Sequence, residues 1–338
     1  MAIILKTKSI YLNDCVLIPK VGKVRSRKEV PDEKHKIIIS PMLSVIGQTF
    51  IKEAARLGLS VALPRFISKE KKVELFNTFQ FYRLNRDQLC FVSVGMHEKA
   101  DDLRYIKTNT KSKNWLIDVA NGYMVGWEDA VQELKNSIGD IHSLMVGNIV
   151  TSEGVDYLWD RLNGYCDHLY IRCGIGNGSC CASSDVTSVN RGQITEIMEC
   201  SNCKTYVDNQ ERCFLVSDGG IYKSGFVLKA WGAGASYVLM GGYFSKAEEA
   251  ECNINGDGIY FGCASEKQNK LAGLDKHSEG KEIPVPKESL KSLSYLVDEL
   301  WGGIRSGISY VGYKSVGEFI GNGTFEIKIN SLPPRVRY

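Results

Sequence analysis

Residues 174–184 combine three glycines in five positions with two adjacent cysteines. Glycine permits backbone conformations that other residues rarely adopt, and the amides or carbonyls of such a loop can surround an anion or a monovalent cation. A thiol near amide dipoles on an exposed loop is a candidate nucleophile, although most cysteines are inert core residues. Cys180 and Cys181 are therefore both candidates, whereas Ser183 and Ser184 are either proton carriers or turn formers.

Two pairs of adjacent glycines follow apolar segments later in the chain: Gly219 with Gly220, and Gly241 with Gly242. Glycine pairs serve tight turns, but two pairs at the ends of consecutive strands also suit a phosphate held by backbone amides. Asp218, directly before the first pair, could accept hydrogen bonds from ribose hydroxyls. This pattern favours a phosphate site, with tight turning as the alternative.

Asp118 closes another apolar segment, and Asn121 follows three residues later. If that segment is a strand, the carboxylate and the amide lie at the same end of a sheet. Asp118 alone could equally be an ordinary helix cap. The five histidines form no pattern typical of metal ligands, so they indicate no metal centre.

The elements that must position these residues are recognisable from apolar runs rich in Val, Ile and Leu. Eight runs are predicted to be strands, at about 36–41, 59–63, 90–95, 114–119, 142–147, 167–172, 213–217 and 236–241. Helices are predicted between them, among them 46–57, 125–137, 151–163 and 223–233. Apolar strands alternating with amphipathic helices indicate a parallel sheet buried on both faces. Eight such units predict an α/β fold, the (β/α)8 TIM barrel.

The strand spacing widens after the sixth strand, which places an active-site loop at 173–189 on the catalytic face of the predicted barrel. The polar segment 243–282, after the eighth strand, is predicted to be a flap over that face. An N-terminal arm at 1–35 and a C-terminal segment at 283–338 complete a single catalytic domain. A doubly wound nucleotide-binding domain is the competing architecture, but the glycine spacing at 174–178 matches its fingerprint poorly.

The composition argues against several classes of protein. The 338 residues include 42 Lys and Arg against 39 Asp and Glu, giving a formal charge of +3, with 43 % hydrophobic and 24 % charged residues. This balance is unlike that of a disordered chain or a nucleic-acid-binding protein. No apolar stretch approaches the roughly 18 residues of a membrane helix, and the eleven cysteines show no disulfide framework. We therefore expect a cytoplasmic protein that binds neither nucleic acid nor membranes.

Taken in order, these motifs resemble the IMP dehydrogenase and GMP reductase family nearly from end to end. The resemblance rests on the glycine–cysteine loop, on both glycine pairs and on further short motifs. These are DCVLIPK at 14–20, SR at 26–27, PM at 41–42, DVANGY at 118–123, GNIVT at 147–151, SDGG at 217–220, SE at 265–266, SEGK at 278–281 and GGIRS at 302–306. DVANGY, GN and SE resemble the reductases within the family. The connection at 64–89 is too short for the regulatory CBS domain that the dehydrogenases usually carry.

The resemblance implies the reductive deamination of GMP by NADPH to IMP and ammonia. Cys181 would attack C2 of the purine and form a covalent thioimidate. Ser183, where the reductases carry Thr, would act with Glu266 to relay the proton that lets ammonia leave. The nicotinamide would then deliver a hydride to the same carbon.

The resemblance also implies which residues bind the substrate, the cofactor and potassium. For GMP and IMP it implies Asp218, Gly219, Gly220, Gly241, Gly242, Gly262, Cys263, Ala264, Lys276, Ser278, Glu279 and Gly280. For NADPH it implies Ser26, Arg27, Arg65, Asp118, Val119, Ala120, Ile175, Gly176, Ser306 and Ser309, the last two supplied across a subunit interface. Potassium would be bound by the carbonyls of Gly176, Gly178 and Cys181, and the assembly would be a homotetramer.

The chain also departs from the family pattern. Leu43 replaces an Asp, Pro64-Arg65-Phe66 replaces His-Lys-His, Asn177 replaces a Pro and Lys276 replaces an Arg. The first two departures bear on the placement and choice of the cofactor. An Arg at position 65 can hold a 2′-phosphate at least as well as a Lys.

Two alternatives stay open at the level of sequence. One is a compact IMP dehydrogenase without the regulatory domain, although the Arg-Tyr pair expected in a water-activating flap is not seen. The other is a catalytically inactive barrel that binds purine nucleotides, which the changes at Leu43 and Pro64 motivate.

Overall fold

The strands of the computed structural model, which describes residues 8–271, 273 and 280–328, form a closed barrel and two small sheets. The strands are β1 (Cys15–Leu17), β2 (Ile37–Ile39), β3 (Ser60–Ala62), β4 (Cys90–Val94), β5 (Asn114–Ile117), β6 (Ile141–Ile149), β7 (Cys166–Cys173), β8 (Cys213–Asp218), β9 (Tyr237–Met240), β10 (Ile259–Phe261), β11 (Glu282–Pro284) and β12 (Phe325–Ile327). Strands β2 to β9 are the barrel: each pairs in parallel with the next, and β9 closes on β2.

Helices follow the barrel strands, and the longer of them cover the outside of the barrel. They are α1 (Gln48–Arg56), α2 (Lys69–Tyr82), α3 (Ala100–Thr110), α4 (Trp127–Ile138), α5 (Ser152–Leu162), α6 (Ser183–Thr187), α7 (Gln193–Ser201), α8 (Lys204–Asp208), α9 (Ser224–Ala233), α10 (Glu251–Ile254), α11 (Glu266–Leu271), α12 (Leu293–Tyr310) and α13 (Val316–Phe319). Short 3-10 helices lie at Arg27–Glu29, Lys34–Lys36, Phe244–Lys246 and Lys287–Ser289.

The barrel strands are apolar on both faces because each face is buried against a different layer. One residue from each strand joins an inner cluster: Ile38, Ala62, Phe91, Leu116, Met145, Tyr170, Val216 and Leu239. The alternate residues pack outward against the helices in a second, larger cluster. The interior is therefore a packed core, as expected for a barrel of eight parallel strands.

The helix ends follow local sequence signals. The Thr151 hydroxyl accepts a hydrogen bond from the amide of Gly154 at 3.3 Å and so caps α5 at the predicted position. Ser68 caps α2 in the same way through the amide of Lys71. Both caps satisfy amides that have no partner within the first turn of a helix.

The predicted (β/α)8 barrel is confirmed, since a strand lies at each of the eight predicted apolar runs. The fifth barrel strand, β6, is longer than predicted and extends to Ile149.

The segment after the last barrel strand differs from a simple loop. β10 and β11 pair as an antiparallel two-stranded sheet, with Tyr260 opposite Ile283. β11 crosses the predicted boundary between the flap and the C-terminal segment. This pairing was missed because both strands are only three residues long, which is too short for a recognisable alternation.

Two short strands near the two ends of the described chain pair with each other. β1 pairs in antiparallel fashion with β12, and Cys15 lies opposite Ile327. Among the described residues, no helix combines the length and apolar character needed to cross a membrane.

Candidate active site

A cavity of about 820 Å³ opens at the carboxyl ends of the barrel strands. Its walls come from the ends of β2, β3, β5, β6, β7, β8 and β9 and from the segment containing β10 and β11. Strand ends from different units converge at this end of a barrel, which is where such folds carry their catalytic groups. The cavity is therefore the candidate active site.

Cys181 lines this cavity at the end of the loop that follows β7. It is half-buried, and its thiol donates a hydrogen bond to Ser183 Oγ at 3.3 Å. The Cys181 amide donates to the Gly178 carbonyl at 3.0 Å, and Cys181 also forms an isolated antiparallel bridge with Gly280. The thiol is thus accessible from the cavity, adjacent to a hydroxyl and held from two sides.

The neighbouring cysteine has a different environment. Cys180 is only 4 % exposed, and its thiol donates to the Tyr260 carbonyl at 3.7 Å. Burial raises the pKa of Cys180 to about 12, so this thiol stays protonated near neutral pH. Because a reactive cysteine needs access, the more exposed Cys181 is the stronger candidate nucleophile of the two.

The two glycine pairs line the same cavity. Gly219 and Gly220 have φ angles of +89° and +70°, a region that other residues rarely adopt. A Cβ on Gly219 would lie 2.8 Å from the amide nitrogen of Gly178, and one on Gly241 would lie 2.5 Å from Met42 Sδ. Close approach therefore requires glycine here, and it leaves backbone, not side chains, facing the cavity.

A charged network forms the floor of the cavity. Arg172 Nη1 lies 3.0 Å from Asp118 Oδ1 and 3.6 Å from Asp218 Oδ2. The side-chain amide of Asn148 donates to Asp218 Oδ2 at 2.8 Å and to the Gly174 carbonyl at 2.6 Å. Burial raises the pKa of Asp218, and the neighbouring Arg172 and Asn148 only partly oppose this effect. The network joins the ends of β5, β6, β7 and β8.

Sequence analysis missed Arg172 and did not single out Asn148 as a site residue. Arg172 is the one charged residue in the apolar run 169–173, and its side chain is 5 % exposed. A cation inside a buried strand requires an acidic partner, so this charge was an available signal. Its two partners are the aspartates that sequence analysis had assigned separately to cofactor and substrate.

Six of the positions that the resemblance assigns to the cofactor line the cavity: Arg65, Asp118, Val119, Ala120, Ile175 and Gly176. Arg65 Nη1 donates to the Asp118 carbonyl at 2.9 Å, and its guanidinium lies 4.7 Å from the centre of the Phe66 ring. These contacts fix Arg65 at the edge of the cavity. The residues present therefore offer a cation and a run of exposed backbone to an anionic dinucleotide.

The other four cofactor positions lie apart from the cavity. Ser26 and Arg27 belong to the N-terminal arm, and Ser306 and Ser309 belong to α12. Arg27 Nη1 donates to Ser306 Oγ at 2.9 Å, so the two segments are in contact with each other. Within one chain, this group does not reach the cavity.

The substrate positions of the flap divide into two sets. Gly262, Cys263, Ala264 and Gly280 line the cavity. Lys276, Ser278 and Glu279 lie outside the described residues.

Glu266, the predicted partner of Ser183 in proton transfer, is not brought to the cavity in this structure. Its side chain is 68 % exposed, and it forms an ion pair with Lys270 at 2.6 Å. The hydrogen bond from Lys270 lowers the pKa of Glu266 in this exposed position.

The three carbonyls predicted to bind potassium belong to the Cys181 loop. The Gly178 carbonyl accepts the Cys181 amide, and the Gly176 carbonyl accepts the Ser184 hydroxyl at 3.4 Å. Each carbonyl oxygen has a second lone pair, so a cation ligand role is compatible with these bonds. In the described part of the chain, no group of three or more His, Cys, Asp and Glu side chains is arranged to hold a metal ion.

Comparison with known proteins agrees with this geometry. The sequence model of the IMP dehydrogenase / GMP reductase domain matches residues 33–331. The chain belongs to this family. The match includes all eight barrel strands and the loop of Cys181, and it confirms the resemblance found from the motifs.

Several curated relatives within the family are similar over nearly the whole chain. GMP reductase 2 of Homo sapiens is 29 % identical over 337 residues, which cover 92 % of each protein. GMP reductase of Phytophthora infestans is 32 % identical over 332 residues, covering 92 % of this chain and 88 % of the relative. GMP reductase of Serratia proteamaculans is 32 % identical over 334 residues, again covering 92 % of each.

Proposed function

We propose that this protein is a GMP reductase, an oxidoreductase that converts GMP to IMP and ammonia with NADPH. The observation that carries the proposal is the position of Cys181: its accessible thiol shares one cavity with Asp218 and both glycine pairs. The names of the family members similar to this chain support the same reaction.

The proposed reaction has two covalent stages at C2 of the guanine. In the first, Cys181 Sγ bonds to C2 while the bond from C2 to the amino group breaks, and ammonia leaves after taking up a proton. The product is a thioimidate on Cys181. When bound, NADPH supplies the hydride that reduces C2, after which the C2–S bond breaks and IMP leaves. Overall, GMP, NADPH and two protons give IMP, NADP+ and ammonium.

Ser183 is the proposed proton carrier for the departure of ammonia. Its hydroxyl accepts the hydrogen bond of the Cys181 thiol, which places it beside the reacting carbon of the adduct. Glu266 would complete the relay: it would take up the proton that the Cys181 thiol loses and return it through Ser183 to the departing amino group. That step requires α11 to carry Glu266 from its exposed pair with Lys270 to the cavity.

The proposed nucleotide site uses both charge and backbone. Asp218 would accept hydrogen bonds from the ribose hydroxyls, and Gly219, Gly220, Gly241 and Gly242 would present amides to the phosphate. Cavity residues of the flap would enclose the base: Gly262, Cys263, Ala264 and Gly280. Lys276, Ser278 and Glu279 remain predicted members of this site.

The proposed cofactor site lies on the side of the cavity where Arg65 and Asp118 meet. Arg65 would bind a phosphate of NADPH, while Val119, Ala120, Ile175 and Gly176 would contact the nicotinamide half. Ser26, Arg27, Ser306 and Ser309 do not line the cavity of their own chain, so they would contribute across a subunit interface. This division agrees with an oligomer, and the family resemblance implies a homotetramer, which light scattering would test as a mass about four times that of the chain.

We also propose that potassium binds the carbonyls of Gly176, Gly178 and Cys181 and that the protein is cytoplasmic. The eleven cysteines are all unpaired and fall within the described residues, as is typical of a reducing compartment. Replacing potassium by lithium should lower the rate of GMP reduction, and cell fractionation should recover the protein with cytoplasmic markers.

An assay of the purified protein with GMP and NADPH tests the proposed function. We expect NADPH to be consumed, with IMP and ammonia appearing in equal amounts. A parallel reaction with IMP and NAD+ serves as the comparison. Rapid reduction of NAD+ in that reaction, or GMP binding without turnover, would overturn the proposal in favour of a dehydrogenase or an inactive barrel.

A further inference from the structure

Glu196 is an ionisable residue that the proposed reaction does not use. It lies in the first turn of α7, on the outer side of the barrel behind the Cys181 loop, and its exposed fraction is 0 %. Burying a carboxyl group is costly unless it forms specific hydrogen bonds. Glu196 lies on the buried face of this helix, beside Ile197 and Cys200, so its carboxyl group needs a polar partner.

That partner is Asn177, in the middle of the glycine-rich loop. The side-chain amide of Asn177 donates a hydrogen bond to Glu196 Oε1 at 3.1 Å. Asn177 is also a position at which this chain departs from the proline expected by resemblance. A polar pair thus connects α7 to the loop at a position where the family pattern has no side-chain hydrogen bond.

A second residue of the same helical turn contacts the neighbouring loop. Gln193, which is 6 % exposed and lies three positions before Glu196, donates from Nε2 to the Gly219 carbonyl at 3.4 Å. Residues three apart share one face of a helix. The first turn of α7 therefore binds both the loop of Cys181 and the first glycine pair.

The two loops are also packed directly against each other. A Cβ on Gly219 would lie 3.1 Å from the carbonyl carbon of Asn177, and one on Gly220 would lie 3.1 Å from the Asn177 oxygen. A side chain at either glycine would therefore be crowded by the Asn177 backbone, which shows that the two loops lie close together here. The position of Asn177 therefore sets where the residues between it and Cys181 can lie.

The surroundings of Glu196 favour the neutral form of its carboxyl. Burial and the nearby Asp218 of β8 raise its pKa well above the usual range, while Arg191 before α7 and the Asn177 amide oppose this shift. Cys173 of β7 also faces it. Glu196 Oε2 has no hydrogen-bond partner among the described residues. In its neutral form Glu196 accepts the Asn177 hydrogen bond through one oxygen. The side-chain oxygen of a glutamine can accept the same hydrogen bond.

We propose that Glu196 is a positioning residue, which accepts the Asn177 side chain and thereby holds the loop that carries Cys181 in its reactive place. The proposal rests on the proposed function only in taking Cys181 as the nucleophile. It predicts that the hydrogen bond, and not the charge or the bulk of Glu196, is what the loop requires.

The test compares Glu196→Gln, Glu196→Ala, Asn177→Ala and the double variant Asn177→Ala/Glu196→Ala. Thr195→Val is the matched control, because it removes a side-chain contact of the same helix with Ile10 and touches neither loop. Three quantities are measured. They are kcat and KM for GMP reduction, and the rate at which iodoacetamide alkylates Cys181 in the absence of nucleotide, which peptide mass spectrometry follows.

We expect Glu196→Ala and Asn177→Ala each to lower kcat about tenfold with a smaller change in KM, and to raise the alkylation rate at least about threefold. The double variant should be no worse than the worse single variant, because the two residues act as one unit. Glu196→Gln and Thr195→Val should stay within about twofold of the unmodified protein.

Three results would overturn the proposal: normal kcat and alkylation in Asn177→Ala, equal damage in Glu196→Gln and Glu196→Ala, or independent losses that multiply in the double variant. Asn177→Ala leaves the core volume nearly intact, so the first of these outcomes does not depend on the folding of Glu196→Ala, and circular dichroism of each variant checks folding for the other two. Alkylation is measured without GMP, so it can be read even if the unmodified protein does not reduce GMP. In that case the proposed function would be refuted, and faster alkylation in the variants would still support the positioning role.

Discussion

Cys180 and Cys181 show how environment separates two chemically identical residues. Cys180 packs under the flap against Tyr260, whereas Cys181 turns into the cavity and contacts Ser183. The sequence pattern predicted a reactive cysteine in this loop, but only the resemblance favoured the second of the pair. Both cysteines line the cavity, and they differ in exposure because Cys180 contacts Tyr260, which is 80 residues away in the sequence.

Replacing each cysteine by alanine tests this assignment. Cys181→Ala should lower kcat for GMP reduction on the order of 10⁴-fold or more, because it removes the nucleophile. Cys180→Ala is the matched control and should change kcat by less than about tenfold, since its thiol is buried and has no proposed role in the reaction. Comparable losses in steady-state assays of both variants would contradict the assignment.

Arg172 was harder to foresee, because its partners come from two other strands. Its guanidinium is shared by Asp118 and Asp218, whose side chains are 12 % and 18 % exposed. Removing one member of a buried ion pair leaves uncompensated charge, which costs more than the pair itself contributes. Arg172 therefore affects both the stability of the barrel and the shape of the cavity floor.

Arg172→Met should lower the free energy of unfolding by about 3–5 kcal/mol, measured by urea denaturation. It should also raise KM for GMP, because Asp218 loses the cation that opposes its protonation. Arg161→Met is the control: its pair with Glu128 is solvent-exposed, so the expected loss is below about 1 kcal/mol. Equal losses in the two variants would argue against the buried network.

Among elements, the barrel strands were predictable, whereas the pairing of β10 with β11 after the last barrel strand was not. Each strand is a short apolar run buried on both faces, which is a strong local signal. β10 and β11 are three residues each and depend on their mutual pairing, so local sequence carried little information. α7 lies between these cases, because its apolar face is recognisable but the role of Glu196 depends on a loop nearly 20 residues away.

The neutral state of Glu196 predicts a pH dependence of stability. Its pKa is raised in the folded state from an ordinary value of 4.5, so its contribution to stability is fully present below that pH and is lost as the pH rises toward the folded-state pKa. Glu196→Gln should therefore gain stability relative to the unmodified protein as pH increases from 5 to 8, by up to about 1.4 kcal/mol per pH unit.

Urea unfolding of both proteins at several pH values measures this difference. The charged groups that face the acid, Asp218 and Arg191, are present in both proteins, so the comparison changes only the residue at position 196. A stability difference that stays constant between pH 5 and pH 8 would show that Glu196 is ionised in the folded protein.

At the scale of the whole molecule, a single closed barrel brings the distant motifs together. The inner cluster takes one residue from each strand, so every strand depends on the others for burial. The number of strands and the catalytic end of the barrel followed from the sequence. The separation of Ser26, Arg27, Ser306 and Ser309 from the cavity did not, because it depends on how the arm packs on α12.

Leu116 represents this inner layer, because it is 0 % exposed and lies in the middle of the barrel. Leu116→Ala should lower the free energy of unfolding by about 2–5 kcal/mol through lost burial and a residual cavity. The exposed Leu84, at 65 %, provides the control, and Leu84→Ala should cost less than about 0.5 kcal/mol. Separate unfolding transitions in Leu116→Ala would contradict a single cooperative barrel.

The central claim is that Cys181 forms a covalent bond with the purine during turnover. Mass spectrometry of the protein, quenched in acid during steady-state reaction with GMP and NADPH, measures this directly. We predict a nucleotide adduct on the peptide that contains Cys181, located on that residue and absent from Cys181→Ala. Turnover of GMP without any adduct on Cys181, or with the adduct on Cys180 or Cys263, would contradict the account.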